Sequence, residues 1–311
     1  MTIQEQLSTV KGGTDSFIGS GPLGRKITAQ TIKHFYFLAT GTILTEALSR
    51  SYIRTLQKAG KLIPLMNVYN VAWANGENEV GTAPNSGVES MNRRGLPKLT
   101  GSFDNGEYFR KVIQSMEGNN RWDVIIIDED ETQFLTSYSG VPRGFKVGMF
   151  AMDNTPLGGD EGKASFTIQF TKSLEFSKYL DWITDDLVDY VPSEIDGSNQ
   201  VRLSLSGAVA AATTLTVKTV LDNDNDTFIA GLTKDNFLIK VDGATRTVSD
   251  AVADPVTKTY ALTIDTAPNV DQKVVAQLYN SADNQPVVQI GTEPEDILVQ
   301  SREAVAVAAA A

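Results

Sequence analysis

Residues 213–243, TTLTVKTVLDNDNDTFIAGLTKDNFLIKVDG, alternate apolar and polar side chains, break at an acidic run, then alternate again. Alternation with a period of two puts one face of a segment against a core and the other in water, which is the signature of a strand. From Val201 onward seven segments of this texture follow one another: VRLSL, TTLTVKTV, NFLIKV, TRTVSD, KTYALTI, QKVVAQLY and PVVQI. Turns rich in Asp, Asn, Gly and Pro separate them. That spacing predicts a two-sheet β-sandwich over residues 199–292. The tail, PEDILVQSREAVAVAAAA over 293–311, reads as an amphipathic helix or a frayed end.

Working outward, PSEIDGSNQ is a polar linker that places a domain boundary near residue 198. The region before it, 27–198, mixes strands with a few helices. KITAQTIKHFYFLATGTI is dense in β-branched and aromatic residues and reads as extended. KLIPLMNVYNVAWA is a strand run interrupted by Pro64, and WDVIIIDED, GFKVGMFAM and KASFTIQF are further strands. Three helices are predicted. Over 46–59, Thr45 is the cap, Leu48, Tyr52, Leu56 and Ala59 share a face, and Gly60 ends the helix. Over 106–117, Asp104 or Asn105 caps, Phe109, Val112, Ile113 and Met116 form the apolar stripe, and Gly118 stops it. Over 173–190, Phe176, Leu180, Ile183 and Leu187 form a third stripe. The fold class is therefore mainly β with a few helices: an α+β first domain, sandwich or barrel, followed by a β-sandwich.

Two segments lack periodicity. Residues 1–26, containing GGTDSFIGSGPLGRK, read as an N-terminal arm that orders only on a partner. NGENEVGTAPNSGVESMNRRGLPK, residues 75–98, reads as a long loop reaching a neighbour. Its paired Arg93 and Arg94 are candidate assembly contacts, because arginine favours interfaces and bidentate pairing with carboxylates.

The 311 residues include no cysteine and one histidine, and the formal net charge is −11. No cysteine excludes disulfides, thiol nucleophiles and cysteine zinc sites. The acidic balance argues against gripping nucleic acid through phosphates and leaves only a surface that repels DNA and lets it slide. The polar start MTIQEQLSTVKGG has no apolar core of a signal peptide, and no run of residues is long and apolar enough to span a bilayer. The expectation is a chain made in the cytosol.

Candidate chemistry is sparse. Asp222, Asp224 and Asp226 have the D-x-D-x-D opening of a calcium loop, but Thr227 and Thr233 stand where that motif needs glycine and glutamate. They read as a solvated turn between strands. Gly19, Gly21 and Gly24 satisfy G-x-G-x-x-G without the strand before it or the helix after it that a dinucleotide site requires. His34 lies in a strand-like run with no nucleophile motif elsewhere. Asp128–Glu131 follow an apolar strand and read as its turn, without a second acidic cluster to make a catalytic pair. No enzyme, cofactor or metal is expected.

The segments TTLTVKTV, IAGLTKDNFLIKVDG and TKTYALTIDTAPNVDQKVVAQLY, with Gly231, Leu232, Asp235 and Phe237 in the phrase GL-x-x-D-x-F, resemble bacterial immunoglobulin-like modules of adhesins and phage virions. The first two hundred residues, with GFKVGMFAMDNTPLGGDEGKASFTIQF, resemble phage tail-tube subunits. That resemblance implies a β-sandwich with a packed helix, a long loop, a flexible arm, and hexameric rings stacked into a tube around an acidic lumen. The expected role is a self-assembling structural protein of a bacteriophage particle, with other virion proteins as partners and no sequence-specific nucleic-acid binding. A capsid protein is the alternative, as an accessory protein or a double β-barrel major capsid protein. A surface adhesin or a hydrolase using Asp128–Glu131 ranks lower.

Overall fold

The computed structural model describes residues 2–11, 31–74, 76, 79–82, 89–93, 95–104, 106–153, 164–177, 179–206, 208–292 and 296–310. The chain is mainly β, with four α-helices among the described residues, and divides between Ile195 and Asp196 into two compact units; residues 55–60 group with the second. In chain order the first part runs α1 (Ile3–Lys11), β1 (Ile32–Ala39), α2 (Arg50–Lys58), β2 (Leu62–Leu65), β3 (Val68–Trp73), β4 (Glu79–Thr82) and β5 (Glu89–Arg93). It continues with β6 (Lys98–Phe103), α3 (Gly106–Gln114), β7 (Gly118–Asn119), β8 (Trp122–Asp128), β9 (Gln133–Thr136) and β10 (Phe145–Met152). β11 (Ala164–Phe170), α4 (Leu174–Ser177) and β12 (Leu180–Ile183) complete it.

One ten-stranded sheet organises this unit. β8 pairs along its length with β1, setting Phe37 opposite Val124 and Phe35 opposite Ile126. Its other edge is shared. Val124 and Asp123 pair with Phe145 and Lys146 of β10, whereas Ile126 and Ile127 pair with Phe134 and Gln133 of β9. Beyond that junction β10 pairs with β11, β11 with β6, and β6 with β3. The sheet thus has two halves joined at two residue pairs, and both contribute to one core. Phe35, Phe37, Val124, Ile126 and Phe134 come from one half. Leu99, Phe103, Phe150, Phe166, Ile168 and Phe170 come from the other, and Ile113 and Met116, in and just beyond α3, join them. Burial of side chains this large is the main stabilising term, about 1.5–3 kcal/mol for each. Alternation is plain in β11, where Ala164, Phe166, Ile168 and Phe170 are buried. A bulge between Val147 and Met149 resets the phase of β10 so that both Val147 and Phe150 reach the core.

β1 and β8 are buried on both faces, because residues 190–195 cover the face away from the core. Tyr36 Oη donates to Pro192 O at 2.7 Å, Tyr190 Oη to Gln133 Oε1 at 2.9 Å, and Ser193 N to Glu131 Oε2 at 2.8 Å. Pro64 sits within β2, which pairs only with β1, so its missing N–H costs no ladder bond.

The second unit comprises β13 (Asn199–Ser206), β14 (Thr214–Leu221), β15 (Asp224–Phe228), β16 (Phe237–Val241), β17 (Ala244–Arg246) and β18 (Val248–Asp254). β19 (Thr259–Ile264), β20 (Lys273–Leu278), β21 (Val287–Ile290), β22 (Ile297–Ser301) and β23 (Ala304–Val307) follow. They form a seven-stranded sheet, ordered β18-β19-β14-β13-β22-β21 with β15 beside β14, and a four-stranded sheet ordered β17-β16-β20-β23. Leu215, Val217 and Leu262 of one sheet and Ile239, Val274 and Leu278 of the other share a core, so this unit is a β-sandwich. Tyr260 is buried there, its hydroxyl donating to Ile229 O at 3.0 Å and accepting from Leu232 N at 3.1 Å.

Several expectations need correction. The helix predicted over 173–190 is a single helical turn, α4, followed by strand β12 and a short 3-10 turn at Asp185–Leu187. Both faces of β12 are covered: Trp182 packs on the core while Asp181 and Ile183 are buried on the other side, so apolar residues recur at a spacing that mimics a helix. The tail, in its described residues 296–310, is neither helical nor frayed. β22 runs parallel to β13 and β23 antiparallel to β20, and these tertiary pairings override the helix propensity of alanine. α2 starts at Arg50, and its cap is Ser49, whose Oγ accepts from Tyr52 N at 3.2 Å, while Thr45 lies outside the helix. Gly60 ends it with φ of +66°. The segment TRTVSD is split between β17 and β18.

Candidate assembly interface

The region read as a loop over 75–98 is, in its described residues, a β-hairpin. The ladder between β3 and β6 runs to Trp73 opposite Leu99, and continues through Ala74 N to Lys98 O at 2.8 Å and Gly76 N to Leu96 O at 3.1 Å. Beyond them Glu79 of β4 stands opposite Arg93 of β5, and Thr82 opposite Glu89. β4 and β5 form a two-stranded sheet of their own, to which no third described strand is added. Strands of four and five residues, made mostly of polar side chains, are too short to show a period, which is why this sequence looks like a loop. A two-stranded ribbon is marginally stable alone in water. Arg93 is placed at the end of β5, and Arg94 lies outside the described residues, as do Gly19, Gly21 and Gly24.

At the root of this hairpin stands an aromatic cluster that sequence reading did not single out. Trp73 is 45% exposed yet packs on Phe176 and Phe170, with ring centroids 5.4 and 6.0 Å away. Phe176 stacks on Phe145 at 4.2 Å. Lys172 Nζ sits 3.9 Å above the Tyr138 ring, which meets Tyr179 edge-on at 5.0 Å. Beneath them Glu175 is wholly buried: its Oε2 accepts from Lys146 N at 2.9 Å, and its Oε1 lies 3.7 Å from Arg143. Burial pushes the Glu175 carboxyl up, and the Lys146 N–H and the Arg143 guanidinium offset this in part. Asp123, accepting from Gly41 N at 3.0 Å, is raised for the same reason.

The N-terminal arm expected over 1–26 needs correction in its described part. Residues 3–11 form α1, with Ile3 and Leu7 buried. Gln6 fixes it to the first unit: its Nε2 donates to Leu187 O at 2.9 Å and Leu48 O at 3.2 Å, and its Oε1 accepts from Leu48 N at 2.8 Å. A glutamine satisfying backbone groups of two other segments has no local sequence signal. Residues 12–26 of the expected arm lie outside the described residues.

The groups with chemical potential in the sequence are occupied separately. Asp128 Oδ1 accepts from Asp130 N at 3.1 Å and Thr132 N at 2.9 Å, closing the turn between β8 and β9, and Glu131 holds Ser193. His34 is buried in β1, where its Nδ1 accepts from Asn67 N at 3.1 Å; burial lowers its pKa. Asp222 pairs with Arg202 at 3.0 Å and Asp226 with Lys258 at 2.8 Å. Asp224 is turned onto Thr227 Oγ1 at 2.5 Å and Asp226 N at 2.8 Å, bonds that hold its carboxyl below the usual range. Asp222 lies in the turn expected there, whereas Asp224 and Asp226 belong to strand β15. Their carboxylates point at three different partners, and no group of three or more His, Cys, Asp or Glu among the described residues is placed to hold a metal.

No described helix is long and apolar enough to cross a membrane. No protein-family model matches the chain, and no curated protein matches it.

Proposed function

We propose that this chain is a non-enzymatic structural subunit of a bacteriophage particle that assembles with copies of itself, as a tail-tube protein. The observation carrying the proposal is the β4–β5 hairpin, a polar ribbon that prolongs the main sheet and has no third strand among the described residues. Such a ribbon gains further backbone partners from a neighbouring subunit. Arg93, at the end of β5, and Arg94, next to it in sequence, suit carboxylates on an acidic neighbour. The exposed Trp73 at its root is the residue type that dominates interface energies. A net charge of −11 suits a surface along which DNA slides without being held. The sandwich of residues 199 onward is read as an immunoglobulin-like module carried on the assembling unit. Other virion proteins are the further partners.

The test replaces residues 79–93 by a short glycine turn and measures molar mass by light scattering after size exclusion. The intact chain is expected to elute as rings or larger species and the shortened one as a folded monomer. Equal masses for both would remove the hairpin from the account.

A further inference from the structure

α1 is a short helix with a seat built to receive it. Its first turn is closed by a reciprocal capping box: Thr2 Oγ1 accepts from Glu5 N at 3.2 Å, and Glu5 Oε2 accepts from Thr2 N at 2.6 Å. Nine residues are too few to hold a helix alone in water, so α1 depends on its seat. Ile3, Gln6 and Leu7 are buried there, whereas Gln4 and Glu5 are exposed. The carboxamide of Gln6 meets three backbone groups, Leu48 N, Leu48 O and Leu187 O. Leu48 precedes α2 and Leu187 lies in the turn after β12, so none of these bonds belongs to a strand ladder. α1 can therefore leave its seat without breaking the main sheet. Thr2 and Gln6 also line an open cavity of about 630 Å³ with residues 45–49 and 186–189, which places α1 at the surface of the unit.

Lys11 and Thr31 are joined by twenty peptide bonds, a tether that spans at most about 70 Å. A compact unit of about 190 residues has a radius of gyration of about 16 Å, so the first units of two touching copies stand roughly 40 Å apart, centre to centre. The same seat on a neighbour is within reach of that tether. It offers α1 the contacts that its own seat offers, so exchange sacrifices no interaction, and the local concentration of seats decides where each helix goes. We infer that, when copies of this chain assemble, α1 of one copy occupies the seat between residues 45–49 and 186–189 of the next. Each exchange fastens two copies through Ile3, Gln6 and Leu7, none of which carries a charge, so it needs no attraction between the surfaces of an acidic chain. The inference rests on the self-assembly reading for the presence of a neighbour. The seat and its occupant are both parts of this chain, already fitted to each other.

The experiment uses the absence of cysteine from the chain. One batch of full-length protein carries Gln4→Cys, at an exposed position of α1, labelled with bimane, a dye that tryptophan quenches only near contact. A second batch carries Glu46→Trp, at an exposed position beside the seat. Both changes in one dilute chain set the full quenching, and none there would overturn the seat itself. The inference predicts quenching when the two batches are mixed at assembling concentrations with the tryptophan batch in excess. Gln6→Ala/Leu7→Asp in the labelled batch should reduce it by about tenfold or more, with circular dichroism confirming that the body remains folded. Quenching that ignores those substitutions overturns the inference. Large species in light scattering with no quenching on mixing overturn it too, and leave the self-assembly reading standing. Quenching that persists when both batches lack residues 79–93 supports the exchange and removes the hairpin from the account. Chains that are monomeric throughout, with no quenching on mixing, overturn both readings.

Discussion

Gly144 precedes the two pairs that join β10 to β8, and replacing it with alanine tests the junction between the sheet's halves directly. A Cβ built there lies 2.7 Å from Val124 N and 3.0 Å from the carbonyl carbons of Asp123 and Val124. Carbon contacts are comfortable at about 3.5 Å, so the strands must part by about 0.5–0.8 Å. The atoms in the way are backbone and cannot rotate aside. Overpacking of this kind costs about 1–3 kcal/mol. The displaced segment carries the two pairs that join the halves of the sheet, Phe145 with Val124 and Lys146 with Asp123. Loosening their bonds adds about 1 kcal/mol each. A total of about 3–5 kcal/mol lowers the melting temperature of a unit this size by about 6–20 °C. Differential scanning calorimetry of the intact chain reads this, with the first unit's transition moving and the sandwich's staying in place. Gly148→Ala is the control, because its Cβ meets the Thr171 methyl at 3.0 Å, a side chain able to yield, and should cost less than about 1 kcal/mol. A Gly144→Ala shift below about 2 °C, or one equal to the control's, would refute the close approach of Gly144 to β8.

Two further outcomes are expected. Glu175 is raised above its ordinary value of 4.5 by burial, so its proton is held more tightly in the folded state. The resulting stability is complete below the unfolded pKa and is lost as pH rises through the folded one. Urea midpoints of the intact protein should therefore fall as pH rises above the ordinary carboxylate range, and Glu175→Gln should flatten that slope without abolishing it, since Asp123 is raised likewise. An unchanged slope would mean the carboxylate is not penalised where it sits. In the sandwich, Tyr260→Phe leaves Leu232 N and Ile229 O without the hydroxyl they share, at a cost of about 1–3 kcal/mol in urea denaturation. A loss under about 0.5 kcal/mol would show that neither group depends on it.

The sandwich and the main strands were legible because burial follows the pleat. TYALTI buries Tyr260, Leu262 and Ile264 and turns Thr259, Ala261 and Thr263 outward, so period two survives in the sequence. Legibility fails where a strand has two buried faces or too few residues to show a period. LDWI is covered on both sides and blends into a helical stripe, whereas Glu79–Thr82 and Glu89–Arg93 are four and five residues long, mostly polar, and look like loop. AVAV at the tail was hidden for a third reason, since only its distant partner β20 makes it a strand. Of the candidate interface, Arg93 and Arg94 were visible as a charged pair. Trp73, Lys172 and Tyr138 were not, because only the fold sets Trp73 on Phe176 of α4, and Tyr138 against Tyr179 and Lys172.

The central claim, that copies of this chain complete one another, is tested most directly by negative-stain electron microscopy of the purified intact protein. Stacked rings or tubes are the expected images, and closed shells would move the role from tail to capsid. A uniform field of single, separate subunits at high protein concentration would contradict the claim.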